Sequence, residues 1–416
     1  MIRLTKYYFL HLLVILAFSG CDTEGNSDPR FEDYFIKYFR GDGNQTGLEL
    51  AEYNEGFVLI GNNTLINGTP RLFVVHTDNI GNEIWARTYG GDSEMVAVDV
   101  EIDNANNIII AADLVKNDGL TDIVFFKLGE EGNKIDSLVY GFPEFDESAA
   151  DLTITENNDY IITGYTTNVD IGKSDYDETT DFEDILSIRV NSNLQLFQEA
   201  NWRRVYGFSG LDRGQGLVQK SDGTFLFFGT TDRFPPGAPV TSNPELNIFV
   251  FPAGQDGVVT SVSPFQWLGS AESDETAASI TQTSNQGFVL AGTSLQSNAT
   301  SSIYLASLRN DDELIFNATL GSVNNAITSS VIEDVNGGFL ITGIEIVNNA
   351  SNIFLMKTTN TGIVEWLQSF GGSDDDRSGS IIQLNDGSIL MTGTIELESQ
   401  TKMVLIKTKP NGELKP

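Results

Sequence analysis

Tyr34-Phe35-Ile36-Lys37-Tyr38-Phe39-Arg40-Gly41 reads as a β-strand without neighbours in the sequence before it. Aromatic and branched residues crowd a short run, as strands favour. The run ends on an aromatic residue close to a glycine, and an aromatic or apolar residue beside a glycine returns six times. The later copies are Tyr89-Gly90, Tyr140-Gly141, Tyr206-Gly207, Leu268-Gly269, Leu320-Gly321 and Phe370-Gly371. Successive glycines lie 49, 51, 66, 62, 52 and 50 residues apart, and 45 residues follow Gly371.

Each interval holds the same four elements. A strand of small residues comes first (95–100, 149–154, 277–281, 378–383). An apolar strand closed by glycine follows (56–61, 160–164, 224–229, 287–292, 338–343, 388–393); the second repeat departs from this, with 107–112 ending on Ala112. The third is rich in branched and aromatic residues (72–76, 123–127, 185–189, 248–251, 303–307, 353–357, 403–407). A turn such as Asp78-Asn79-Ile80-Gly81-Asn82 then leads into a fourth strand and the marker glycine. The period and the four short strands fit a propeller blade, and small residues suit strands crowded around an axis. The repeat after Gly371 has only three strands, and 34–41 supplies the fourth. The expectation is an all-β, seven-bladed β-propeller of four-stranded antiparallel blades over residues 31–416. Its ring is closed by the N-terminal strand, which removes exposed edges.

Composition narrows what such a ring can do. Acidic residues number 58 against 24 basic ones, for a formal charge of −34. That excludes a nucleic-acid partner held through phosphate neutralisation. A single cysteine excludes a disulfide framework and a thiolate zinc cluster. Residues 1–20 read as a secretory signal, with Arg3 and Lys6 ahead of an apolar stretch too short to cross a bilayer. Its end, Phe18-Ser19-Gly20-Cys21, resembles a bacterial lipobox, in which the cysteine is acylated and becomes the new N-terminus. The resemblance implies lipidation of Cys21 and attachment to a membrane, which several acyl chains make stable. Asp22, Glu24 and Asp28 resemble the surface-export signals of Bacteroidota lipoproteins. They imply an outer-membrane location, with residues 21–30 as a flexible tether.

The repeats resemble β-propellers of the WD-like and quinoprotein-like type. Trp85, Trp202 and Trp366 each stand five residues before a marker glycine. With Asp78-x-x-Gly81 and Thr361-Gly362 ahead of the first and last, they look like the quinoprotein docking motif, in which tryptophans pack between blades. Phe316 and Ile36 hold the same register elsewhere. Recurrence of this kind means packing. Quinoprotein dehydrogenases also carry eight blades and a cofactor pocket, and neither is expected here. His76 aligns with Lys127, Arg189, Lys357 and Lys407 and is expected to be a solvated surface residue, which leaves a Ser-His-Asp triad nothing to stand on. Sialidase boxes are absent: Ser221-Asp222-Gly223-Thr224 lacks the spacing and falls in a hairpin turn.

The acids gather. In a propeller the loop leading into each blade shares a face with the loop between its second and third strands. The leading loops hold Asp42; Asp92 and Glu94; Glu144, Asp146 and Glu147; Asp212; Glu272, Asp274 and Glu275; and Asp374, Asp375 and Asp376. A long insertion at 165–184 adds Asp170, Asp175, Asp177, Glu178, Asp181, Glu183 and Asp184. A second insertion beside it, 230–246, is proline-rich and carries Arg233 and Phe234. One face is expected to be strongly negative, through a potential screened beyond about 8–10 Å at ordinary salt. Asp175-x-Asp177 and Asp374-Asp375-Asp376 offer the oxygen ligands calcium prefers, although neither forms an EF-hand loop. The leading expectation is a lipid-anchored, non-enzymatic binding or scaffold module. Its acidic loop face takes an envelope protein, a glycan or calcium, through Asp175, Asp177, Asp181, Arg233, Phe234, Asp374, Asp375 and Asp376. No other cofactor and no catalytic residue are expected. The alternative is a carbohydrate-active hydrolase or lyase using carboxylates near the central channel.

Overall fold

The computed structural model describes residues 34–39, 41–65, 68–168, 183–197, 202–208, 210–233, 246–259, 265–270, 273–321, 323 and 325–414. They form seven four-stranded antiparallel sheets and no long helix. Blades 1 to 6 span 44–89, 94–140, 147–206, 212–267, 273–320 and 326–370, each in the plain order of the chain. Blade 7 takes Arg377–Gln383, Ile389–Leu397 and Gln400–Thr408 from one end of the sequence and Phe35–Phe39 from the other. The closing register runs Phe35↔Lys407, Lys37↔Leu405 and Phe39↔Met403.

The blades stack face to face around the ring, and seven apolar clusters fill the junctions between neighbours. Second and third strands are therefore covered on both faces. That is why they read as unbroken apolar runs such as Val58-Leu59-Ile60, Ile108-Ile109-Ile110 and Leu390-Met391, all buried, instead of alternating.

First strands lie innermost, and each carries one bulge. The register slips at Gly47/Glu49, Ala97/Asp99, Ala149/Asp151, Gly214/Gly216, Ala277/Ser279, Thr328/Ser330 and Ser378/Ile381. Opposite each bulge, except in blade 2, stands the glycine that closes the second strand. A Cβ on Gly61 would lie 1.8 Å from the Thr46 carbonyl oxygen. The bulge bends the inner strand over its partner, and only glycine leaves room.

The tryptophans dock between blades as expected. Trp85 donates to the Glu130 carbonyl (3.0 Å) and Trp202 to that of Gln255 (3.2 Å), each a turn of the next blade. The following glycines, Gly132 and Gly257, have φ of 70° and 75° and lie under the rings. In the closing blade the docking residue is Phe35, against Gly81, and not Ile36. Phe35 pairs with Lys407 as Trp366 does with Lys357. The sequence register slips by one because Arg40 separates Phe39 from its glycine.

Candidate functional site

Counting from the bulges sorts the acids of the loop face. Two residues before each bulge stand Gln45, Met95, Glu147, Asp212, Glu275, Ala326 and Asp376, and all seven are buried. The carboxylates among them hold the loop that crosses from the preceding blade. Glu147 accepts the amide of Phe142 (2.9 Å), Asp212 that of Phe208 (2.6 Å) and Glu275 that of Ser270 (3.1 Å). Asp376 accepts the amides of Gly372 (3.1 Å) and Glu396 (3.0 Å). Crossing loops have no ladder to satisfy their N–H groups, and a carboxylate supplies the acceptor. Burial pushes the carboxyls of Glu147, Glu275 and Asp376 upward, and that of Asp212 to about 7.

One residue earlier sits a second clasp. Asp146, Asp274, Asp375 and Asn44 accept the amides of Thr121 (2.8 Å), Leu246 (2.9 Å), Ser351 (3.1 Å) and Thr401 (3.2 Å). Each donor belongs to the preceding blade, so these bonds tie blades together. In blade 2 the acceptor position holds Glu94 and the donor position Pro70, which has no amide hydrogen to give.

The three neighbours expected to act together thus differ. Asp376 is enclosed, Asp375 is exposed with one oxygen engaged, and Asp374 is fully outward. Asp42, Asp92 and Glu144 are also exposed, Asp92 with Arg71 at 3.6 Å. The expected field on this face is therefore carried by fewer side chains than the sequence count implies. Arg213 does not oppose them freely, being paired with Glu183. Arg233 places its guanidinium 5.0 Å from the Phe208 ring centre, and its carbonyl accepts the Trp267 indole N–H (3.1 Å). Cys21, Asp175, Asp177, Asp181 and Phe234 lie outside the described residues, as do 1–33 as a whole. The flanks of both insertions leave adjacent blades, 3 and 4. Among the described residues, no three His, Cys, Asp or Glu side chains converge as a metal site.

The axial channel holds what composition concealed. Two places beyond the residue opposite each closing glycine (Ala112 in blade 2) come Glu49, Asp99, Asp151, Gly216, Ser279, Ser330 and Ser380, and all but Gly216 line it. Carboxylates occupy blades 1 to 3 and hydroxyls blades 5 to 7, around a cavity of about 290 Å³ that Glu101 also lines. Several of these side chains accept an amide of the next blade: Asp99 from Leu152 (2.8 Å), Asp151 from Leu217 (3.4 Å), Ser279 from Val331 (3.3 Å) and Ser380 from Leu50 (3.1 Å). The bulge frees that amide, and the neighbouring blade satisfies it. Enclosure by protein raises the Asp99 carboxyl to about 6 and, with repulsion from neighbouring carboxylates added, Asp151 to about 8 and Glu49 well above the carboxylate range. Glu101 is displaced upward for the same reasons, but its residue is exposed, which relieves part of the penalty.

His76 corrects an expectation. It is 5% exposed, edge-on to Tyr53 (5.0 Å) and Trp85 (5.6 Å). Its aligned cations are not free surface groups either. Lys127 reaches Asp103 (3.0 Å), Tyr160 (3.0 Å) and the Ser192 carbonyl (2.9 Å); Arg189 reaches Asp159 (2.7 Å) and Lys357 reaches Asp334 (3.1 Å). Blade 1 has Tyr53 where blades 2 and 6 have Asp103 and Asp334, so a neutral pair replaces a charged one. Burial pushes the His76 pKa down.

No family model matches the chain, and no curated protein does. Solved structures of similar shape include a protein of unknown function from Dyadobacter fermentans, 10% identical with a TM-score of 0.47 over 89% of this chain and 98% of that one. A Hadza microbial sialidase is 9% identical (TM-score 0.46, over 83% and 74%). A glucose dehydrogenase is 10% identical (0.41, over 90% and 100%). These proteins are unlike one another in what they do.

Proposed function

We propose that this chain is a lipid-anchored envelope protein, held to the outer membrane through Cys21, whose propeller acts as a non-enzymatic binding or scaffold module. The loop face is its contact surface. The outward carboxylates of Asp42, Asp92, Glu144, Asp374 and Asp375, with the insertions bearing Asp175, Asp177, Asp181, Arg233 and Phe234, take an envelope protein or a glycan, with calcium as a candidate bridging ion. One observation carries the reading: on this face the inward acids are consumed in backbone hydrogen bonds, whereas the outward ones stay exposed on loops that a rigid ring positions. The test is purification of the native protein from crosslinked membranes. It runs beside a variant with the five outward acids changed to amides and a Cys21→Ala variant. Loss of co-purifying material from the first, and loss of membrane attachment and acyl label from the second, are the expected results. Unchanged partners in the first would refute the contact surface, and an unlabelled wild type would refute the anchor.

A second reading, a carbohydrate-active enzyme, is favoured by the raised carboxyls in the channel, since a general acid must hold its proton near neutral pH. Glu101 is its best candidate, because Asp99 and Asp151 already accept amides of the next blade. Turnover on a glycan panel that disappears in Glu101→Gln would establish it.

A further inference from the structure

On the face opposite the loops, a cavity of about 600 Å³ opens between blades 1 and 2. It is lined by His76, Trp85, Glu55, Asp78, Glu130 and Glu131, among other residues, and by no lysine or arginine. Its volume is in the range of ordinary ligand sites, roughly 300–1,000 Å³.

The rest of the ring indicates what belongs there. In blade 3 the corresponding cavity is smaller, about 290 Å³, and a cation of the chain's own lines it. Arg189 lays its guanidinium 5.1 Å from the Trp202 ring centre, bonds Asp159 and comes within 3.4 Å of the Gln255 carbonyl. Trp202 donates its indole N–H to that same carbonyl. Blade 1 repeats the setting: Trp85 is the counterpart of Trp202, and the Glu130 carbonyl that of Gln255. At the position of Arg189, however, it has His76, which is shorter and whose Nδ1 is buried without a hydrogen-bond partner. Carboxylates edge the cavity where blade 3 would bring its own cation. Asp78 spends Oδ1 on the backbone amides of Ile80 and Asn82 and Oδ2 on the Asn82 side-chain amide, while Glu55, Glu130 and Glu131 are exposed. The Trp85 ring also tolerates a guanidinium beside it, since Arg87 stands 5.8 Å from its centre without lining the cavity.

We propose that this cavity receives the arginine side chain of a partner polypeptide. The guanidinium stacks on Trp85 and is held by Glu130, Glu131 and Glu55, as Arg189 is held in blade 3. The site is on the other face from the acidic loops and stands or falls independently of the function proposed above.

The test titrates the whole protein with Nα-acetyl-arginine amide and with its uncharged isostere, Nα-acetyl-citrulline amide, by calorimetry and ligand-observed NMR. The arginine probe is expected to bind with a Kd of about 1 mM or tighter, and the citrulline probe at least about tenfold more weakly. Glu130 and Glu131 are exposed, so E130Q/E131Q should fold normally and bind the arginine probe at least about fivefold more weakly. H76K, which brings a cation of the chain's own into the cavity, should abolish binding. Equal affinity for the two probes, unchanged affinity in E130Q/E131Q, or no binding of the arginine probe at about 10 mM would overturn the proposal.

Discussion

Asp374 and Asp376 are two residues apart in one acidic run and live in different physical worlds. Asp376 is wholly buried and holds two backbone amides, while Asp374 stands in water and holds none. The same split runs around the ring: Glu147 is inside and Glu144 outside, and Glu275 clasps a loop as Asp42 faces solvent. The acidity of this protein therefore has two sources. Part is built into the fold at a fixed distance from each bulge, and part is free to meet a partner.

The largest effect should come from the feature both kinds of acid depend on, the closed ring. Deleting residues 34–40 would strip the outer edge from blade 7 and is expected to abolish a single cooperative melting transition. Phe39→Ala alone should cost about 3–5 kcal/mol, since Phe39 is 2% exposed in the closing junction. A variant lacking the strand that still melted in one step at the wild-type temperature would mean the closure contributes little.

Next in size is the comparison itself. Asp376→Ala takes the acceptor from the part-buried amides of Gly372 and Glu396 and should cost about 1–2 kcal/mol in chemical denaturation. Asp374→Ala should change stability by less than about 0.5 kcal/mol. Equal costs would erase the distinction.

Smaller still is the response to pH. The carboxyls of Asp99 and Asp151 hold their protons more tightly in the folded chain (about 6 and 8) than in the unfolded chain, where they titrate near 4. Between those values the folded state binds more protons, so this contribution to stability is greatest near pH 4 and falls as pH rises through 6 to 8. Asp151→Asn, which keeps an oxygen for the Leu217 amide, should raise Tm by about 2–4 °C at pH 9 and hardly at all at pH 4.5. An equal shift at both pH values would show that its charge is not the cause. The opposing trend of ordinary paired carboxylates, such as Asp103 beside Lys127, makes the difference between wild type and variant the quantity to read.

Much of this was open to a reader of the sequence alone. The ring, its seven blades and the pairing of Phe35–Phe39 with the far end of the chain follow from a last repeat one strand short and a lone strand ahead of the first. Docking by Trp85 and Trp202 follows because a residue copied around a ring serves packing. The same logic extends to the acids: Glu147, Asp212, Glu275 and Asp376 also recur in register. Their periodicity is hidden because Met95 and Ala326 interrupt it and because leading loops differ in length. Only the bulge, invisible in a string of letters, gives the fixed point from which to count. The channel carboxylates escaped for a related reason. A strand of mostly small residues reads as filler, and Asp99 sits within one. The placement of His76 is not legible because its aligned cations look like surface groups, whereas the heads of Lys127, Arg189 and Lys357 are paired over covered stems.

The central claim, that inward carboxylates pin the crossing loops, is tested most directly by native-state amide hydrogen exchange. The amides of Phe142, Phe208, Ser270 and Gly372 lie outside the strands, yet they should be protected nearly as well as those of the ladders, while the amides of Glu144 and Asp374 exchange freely. If all six exchange at the same fast rate, the carboxylates hold nothing and the division between structural and available acids is wrong.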